Sequence, residues 1–178
     1  MTPDQLKALV RTIPDFPKPG ILFRDITTLI AHGEGFTASV DLLAAHARAS
    51  GAELIAGIEA RGFIFGAAVA AELGIGFIPV RKPGKLPVPV LAIDYALEYG
   101  TDTLEVDPGA VPDGVRVILI DDLIATGGTA VAALDLLRQA GGVVTDALFV
   151  IDLPDLGGAQ RLRDADVTVT ALLDFAGH

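Results

Sequence analysis

The sequence predicts a single doubly wound α/β domain with a mainly parallel central sheet. Runs of branched aliphatics at 54–58, 76–80, 117–120 and 143–153 are too uniformly apolar for amphipathic helices, and read as strands buried on both faces. Helical patterns alternate with them, several ended by a glycine. The connections are short, with no repeat or low-complexity segment, so residues 1–178 form one unit.

Along the chain, Pro3 to Arg11 reads as a first helix with Thr2 as N-cap. Three prolines and a glycine in Ile13 to Gly20 predict an extended, rigid loop that delivers Ile21 to Asp25. That clump is either a short strand closed by an Arg24–Asp25 surface ion pair or the wall of a pocket for an aromatic ring. Thr37 to Ser50 carries helical spacing at Val40, Leu43, Ala44 and Ala47, and Gly51 ends it. Leu54 to Ile58 is a strand, and Glu59-Ala60-Arg61-Gly62 leads into a small-residue helix from Phe63 to Leu73. Arg61 can serve there as a structural partner of Glu59 or as an anion ligand at a strand's carboxyl end.

Gly76 to Val80 is a third strand, and Val88 to Val106 alternates loosely, as a β-ribbon turning around Gly100-Thr101-Asp102. This ribbon lies outside the βα rhythm, so residues 81–106 are expected to act as a lid. Glu98 and Tyr99 fall in it, and by themselves read as an exposed strand pair. The strand beginning at Val117, a helix from Ala130 to Gln139, a strand from Val143 to Leu153, a short helix near Gly158 to Asp164 and a strand from Val167 to Leu173 complete the order.

Composition excludes several function classes. The formal net charge of −10 argues against nonspecific binding to nucleic acid or anionic membranes. No run of 18 apolar residues is present, and the first residues lack the basic and apolar regions of a signal peptide, so a cytoplasmic protein is expected. With no cysteine, disulfides and thiolate metal sites are excluded. Against this acidic background Arg81, Lys82 and Lys85 cluster directly after a strand, and six carboxylates with no cation separate them from Arg116. A phosphate-binding loop fits that cluster. His32, His46 and His178 are scattered singly and read as surface or packing residues.

The most informative stretch is Val117 to Thr129. A buried strand ends in Asp121-Asp122, then Leu123-Ile124-Ala125-Thr126-Gly127-Gly128-Thr129 leads into a helix. The bare backbone of Gly127 and Gly128 allows successive N–H groups to close around a phosphate at a helix start, where the macrodipole also favours an anion. Carboxylates repel phosphate but accept hydrogen bonds from sugar hydroxyls. A phosphorylated ribose satisfies both halves, at the strand ends where ligands bind in such sheets. A plain capped helix, with Thr126 or Thr129 as N-cap, is the alternative.

With these pieces together the chain resembles the adenine phosphoribosyltransferases, a branch of the type I phosphoribosyltransferases. The resemblance rests on Phe16 to Ile26, Gly57 to Phe63, Arg81 to Pro87, Leu97-Glu98-Tyr99-Gly100 and the 121–129 loop. It implies transfer of a phosphoribosyl group from phosphoribosyl pyrophosphate (PRPP) to N9 of adenine, giving AMP and pyrophosphate in purine salvage. It further implies Mg2+ carried mainly by PRPP rather than a protein metal site, a homodimer, and an N-terminal base-binding hood over residues 1–35. By the same resemblance Asp121 and Asp122 bind the ribose hydroxyls, and Ala125, Thr126, Gly127, Gly128 and Thr129 cradle the 5-phosphate. Arg61, Arg81, Lys82 and Lys85 face pyrophosphate, with Arg81 near the dimer interface. Leu22 and Arg24 read the adenine edge through their backbone, with Phe23 and Leu123 at its faces. Glu98 is the implied acid or base, Arg61 and Tyr99 join it in catalysis, and Glu59-Ala60 is implied to be a cis peptide. Val88 to Tyr95 departs from the charged residues that many relatives carry after Leu86-Pro87. A transferase for another purine base and a non-catalytic PRPP-sensing regulator are the competing readings.

Overall fold

The computed structural model describes residues 1–97 and 100–177, so Glu98, Tyr99 and His178 lie outside the described residues. Thr2 caps α1 (Pro3–Leu9) in a capping box with Gln5. The next segment is not an extended loop. β1 (Arg11–Pro14) and β2 (Leu22–Asp25) pair antiparallel, and the connection folds back on itself. Asp15, at φ 57°, accepts the Gly20 N–H at 2.8 Å, and Phe16 N–H reaches the Ile21 carbonyl. The Asp15 carboxylate thus closes a hairpin that the prolines alone do not reveal.

The Arg24–Asp25 ion pair, one of the two alternatives for this clump, is not formed. Asp25 accepts from Arg11, with Nε at 3.1 Å, and from the Thr27 N–H at 2.9 Å at the start of α2 (Thr27–Ala31). Arg24 instead donates to Thr12 Oγ1 at 2.6 Å and to the Ala176 carbonyl at 2.9 Å, over the Phe175 ring. The Ala176 bond and the Phe175 contact tie the N-terminal hairpin to the C-terminal segment. α3 (Gly33–Ala49) begins earlier than periodicity predicts, because His32 Nδ1 accepts the Gly35 N–H and supplies the cap.

Five parallel strands form the central sheet in the order β4-β3-β7-β8-β9: β3 (Leu54–Ile58), β4 (Gly76–Val80), β7 (Arg116–Ile124), β8 (Val143–Asp152) and β9 (Thr168–Asp174). α3 and α4 (Gly62–Leu73) cover one face. α5 (Gly128–Gln139), α6 (Gly158–Arg163) and an antiparallel ribbon of β5 (Leu91–Ala96) and β6 (Thr101–Val106) cover the other. The predicted doubly wound domain is therefore present. Glycines set how closely α4 lies on β3: a Cβ on Gly57 or Gly66 would come within 2.7 or 2.8 Å of the Phe77 ring.

The ribbon is fastened to the body. Leu104 and Val106 are fully buried in the core, Leu91, Ile93 and Tyr95 pack against it, and Arg81 bridges Glu105 through both backbone groups. Thr101 and Asp102 pair within β6 instead of forming the turn.

Asp25 generates an acid-stability prediction. Hydrogen bonds from Thr27, through its hydroxyl and N–H, and from Arg11 lower its pKa from 3.8 to about 2. A folded-state value below the unfolded one contributes stability that is present above pH ~4 and is lost as pH falls through about 2. Asp25→Asn should cost about 1–2 kcal/mol at neutral pH and weaken the loss of stability between those limits. Urea-unfolding midpoints across that range test this; identical acid profiles for both proteins would refute it.

Candidate active site

The strand order places the topological switch between β3 and β7, where ligands bind beyond the carboxyl ends of the strands. The β3–β7 ladder stops at Gly57↔Ile120, while β7 continues against β8 to Ile124↔Asp152. Asp121 and Asp122 therefore do not end their strand; they lie within it and lose only the β3 neighbour. The crevice opens at that point. β3 leads into the cis Glu59-Ala60 peptide and then to Gly62, the first residue of α4.

Gly62 is required by close approach: a Cβ there would come 2.7 Å from Asp121 Oδ1 and 3.0 Å from the Ile120 carbonyl. Burial and the neighbouring Asp122 charge raise the Asp121 pKa well above the usual carboxylate range. Asp122, itself buried, accepts from Arg61 Nε at 2.5 Å. Arg61 is thus the partner of Asp122, and the alternative Glu59 pairing is not formed. Glu59 takes Arg81 Nε at 3.2 Å and the Lys82 N–H at 2.9 Å. The Lys82 N–H and, beyond the opposing effect of burial, Arg81 lower its pKa.

The loop after β7 is not capped by a threonine side chain. Gly127 is the N-cap in the left-handed region (φ 83°), with no side-chain cap, and α5 begins at Gly128 instead of Ala130. A Cβ on Gly127 would come 2.8 Å from Gly158 Cα, so the two backbones touch because neither residue carries a side chain. Among the described residues the N–H groups of Thr126, Gly127, Gly128, Thr129 and Ala130 have no hydrogen-bond acceptor. Five successive free donors at a helix start are an arrangement able to accept an anion.

A cavity of about 310 Å³ joins these parts, lined by Glu59 to Arg61, Lys82 and the whole 121–130 segment. A second, of about 200 Å³, lies under the N-terminal hairpin and is lined by Ile21 to Arg24, Arg61, Leu123, Ala125, Leu153 and Leu156. Arg61, Leu123 and Ala125 belong to both walls, so a polar anion pocket and a largely apolar one meet side by side.

The predicted residues divide accordingly. Arg61, Lys82, Asp121, Asp122 and Ala125 to Thr129 line the first cavity, and Leu22, Phe23, Arg24 and Leu123 line the second. Arg81 and Lys85 are not on either wall; the Arg81 guanidinium lies between Glu59 and the Lys85 carbonyl. Glu98 and Tyr99 fall outside the described residues. Sequence reasoning missed Tyr95 and Asp102, which both bond the Lys82 ammonium. Burial lowers the Lys82 pKa, but these bonds outweigh it and leave the value raised. It also missed Gly158, whose N–H bonds the Ala125 carbonyl at 3.0 Å, and Arg161, whose Nη1 bonds the Thr126 carbonyl at 2.9 Å. The Gly157-Gly158 doublet was the available signal.

The phosphoribosyl transferase domain family matches residues 29–168. An adenine phosphoribosyltransferase from Novosphingobium aromaticivorans is 71% identical over 178 residues, which cover 100% of each chain. The crystal structure of adenine phosphoribosyltransferase from Thermoanaerobacter pseudethanolicus superposes with a TM-score of 0.93 at 45% identity, covering 98% of this chain and 100% of that one. The Saccharomyces cerevisiae adenine phosphoribosyltransferase, crystallised with D-2,5-dideoxy-2,5-imino-altritol 1,6-bisphosphate and adenine, has a TM-score of 0.91 at 38% identity, covering 96% and 98%. The chain belongs to the phosphoribosyl transferase family, in its adenine phosphoribosyltransferase branch.

Proposed function

We propose that this protein transfers the phosphoribosyl group of Mg–PRPP to N9 of adenine, releasing pyrophosphate and giving AMP. The observation that carries this reading is the wall shared by the two cavities, through Arg61, Leu123 and Ala125: the polar one suits a phosphorylated sugar and the largely apolar one the faces of a planar base, so that the two substrates would meet at their junction. The 126–130 N–H groups take the 5-phosphate, and Asp121 and Asp122 take the ribose hydroxyls. The C1–O bond to pyrophosphate breaks with its electrons leaving on oxygen, the adenine N9–C1 bond forms, and the N9 proton passes to a base, for which Glu98 is the candidate. The intervening oxocarbenium-like sugar is stabilised by positioning and electrostatics.

Arg61 and Lys82 face the leaving pyrophosphate, and Arg81 and Lys85 complete its surroundings once the 81–106 segment, with Tyr99, acts as a lid. Residues 1–35 serve as the hood, with Leu22 and Arg24 presenting backbone to the adenine edge and Phe23 and Leu123 its faces. Magnesium keeps several waters and binds through substrate phosphates plus one or two carboxylates, which suits an ion arriving on PRPP beside the two aspartates. Among the described residues no group of three or more metal-ligating side chains occurs. A homodimer fits the outward face of α4, an almost wholly apolar helix that exposes Ile64, Ala67 and Ala71 beside the site. A cytoplasmic location accords with the absence, among the described residues, of any helix long and apolar enough to cross a membrane.

Incubation with PRPP, magnesium and single purine bases should yield AMP from adenine and far slower turnover of hypoxanthine or guanine. Preference for either of those bases would overturn the base assignment, and PRPP binding without any turnover would favour the regulator. Asp122→Ala, which removes a ribose ligand and the partner of Arg61, should reduce kcat/KM for PRPP about 100-fold. Wild-type kinetics would remove its role. Glu98→Gln should lower kcat about 100-fold with little change in PRPP affinity, and an unchanged kcat would exclude it as the base.

A further inference from the structure

A loop can cradle a phosphate only if its carbonyl oxygens, which would repel the anion, face elsewhere. In a trans peptide the C=O and the following N–H point in opposite directions, so whatever holds a carbonyl outward aims the next N–H inward. Two successive carbonyls of the 125–129 loop are held in this way. The Gly158 N–H bonds the Ala125 carbonyl at 3.0 Å, and Arg161 Nη1 bonds the Thr126 carbonyl at 2.9 Å. The peptides so fixed carry the N–H groups of Thr126 and Gly127, the first two free donors of the cradle.

The fit is close on both sides. A Cβ on Gly158 would come 2.3 Å from the Ala125 carbonyl and 2.7 Å from the Gly127 nitrogen, so no other residue type permits this approach without displacing the loop. Arg161 lies at the rim, its Nη1 4.0 Å from where a Cβ on Gly128 would stand. It reaches there because the Arg161 N–H bonds the Gly157 carbonyl in the first turn of α6, which fixes the helix on the same glycine turn.

We propose that Gly158 and Arg161 are positioning residues for the 5-phosphate: a brace outside the cavity that turns two carbonyls away and aims two N–H groups at the anion. This rests on the phosphoribosyl-transfer reading of the site. It accounts for a loop whose glycines by themselves allow many conformations yet which holds a single row of donors.

Calorimetric titration with AMP and with adenine separates the brace from a general structural role, because adenine has no phosphate. Arg161→Met should weaken AMP about tenfold and raise KM for PRPP similarly, with adenine affinity and kcat nearly unchanged; Arg161→Lys, which keeps a donor, should recover part of the loss. Gly158→Ala, which removes no charge, should give the same split. Equal losses for AMP and adenine, or none, would overturn the proposal. So would a loss in Arg161→Met without one in a cooperatively melting Gly158→Ala chain, since Arg161 would then contact the phosphate itself. If Gly158→Ala does not fold, the Arg161 variants decide alone. A wild-type protein that binds no AMP would instead overturn the transferase reading.

Discussion

The site depends on where one parallel ladder stops. Up to Gly57↔Ile120 strands β3 and β7 satisfy each other's backbone, and past that pair they do not. β3 turns into the 59–62 segment, while β7 runs on against β8 and carries Asp121 and Asp122 along the opened edge. The 59–62 and 121–130 segments leave the sheet from adjacent strands at the same level, so they face each other across one crevice. Gly62 makes the near wall thin enough for Asp121 to lie against it.

The charges around that crevice are already partnered. Arg61 is bonded to Asp122, Arg81 to Glu59 and Lys82 to Asp102. Such pairing allows a chain of net charge −10 to keep several cations beside an anion site without mutual repulsion. The partly exposed Lys82–Asp102 pair is worth little, on the order of 0–1 kcal/mol, so an anion can draw Lys82 away at small cost. Asp122 is buried, so Arg61 stays with it and is held in place.

The ribbon connects these parts. Its inner face is core, through Leu104 and Val106, and its Tyr95 hydroxyl lies within hydrogen-bond distance of Lys82, Asp102 and Thr129. The Lys82 side and the Thr129 side of the cavity are therefore linked through one side chain on the anchored part of the ribbon. The two strands of the ribbon are thereby held against the core.

The sequence by itself determined the alternation of strands and helices, the buried strands of the sheet, and the 59–61, 21–24 and 121–129 stretches that line the two cavities. Those signals are local: apolar runs, glycines at helix ends, and a carboxylate pair followed by a glycine loop. Whatever depended on contacts distant in the chain was decided only by the tertiary structure. Arg24 turns to Ala176, 152 residues away, instead of Asp25. Arg61 has a choice of carboxylates and takes Asp122, 61 residues away. Neither Thr126 nor Thr129 caps α5, because Gly158 presses the loop into a left-handed turn at Gly127. Composition and spacing report which groups are present; which carbonyl is turned outward, and by what, is a property of packed backbones, and only the fold supplies it.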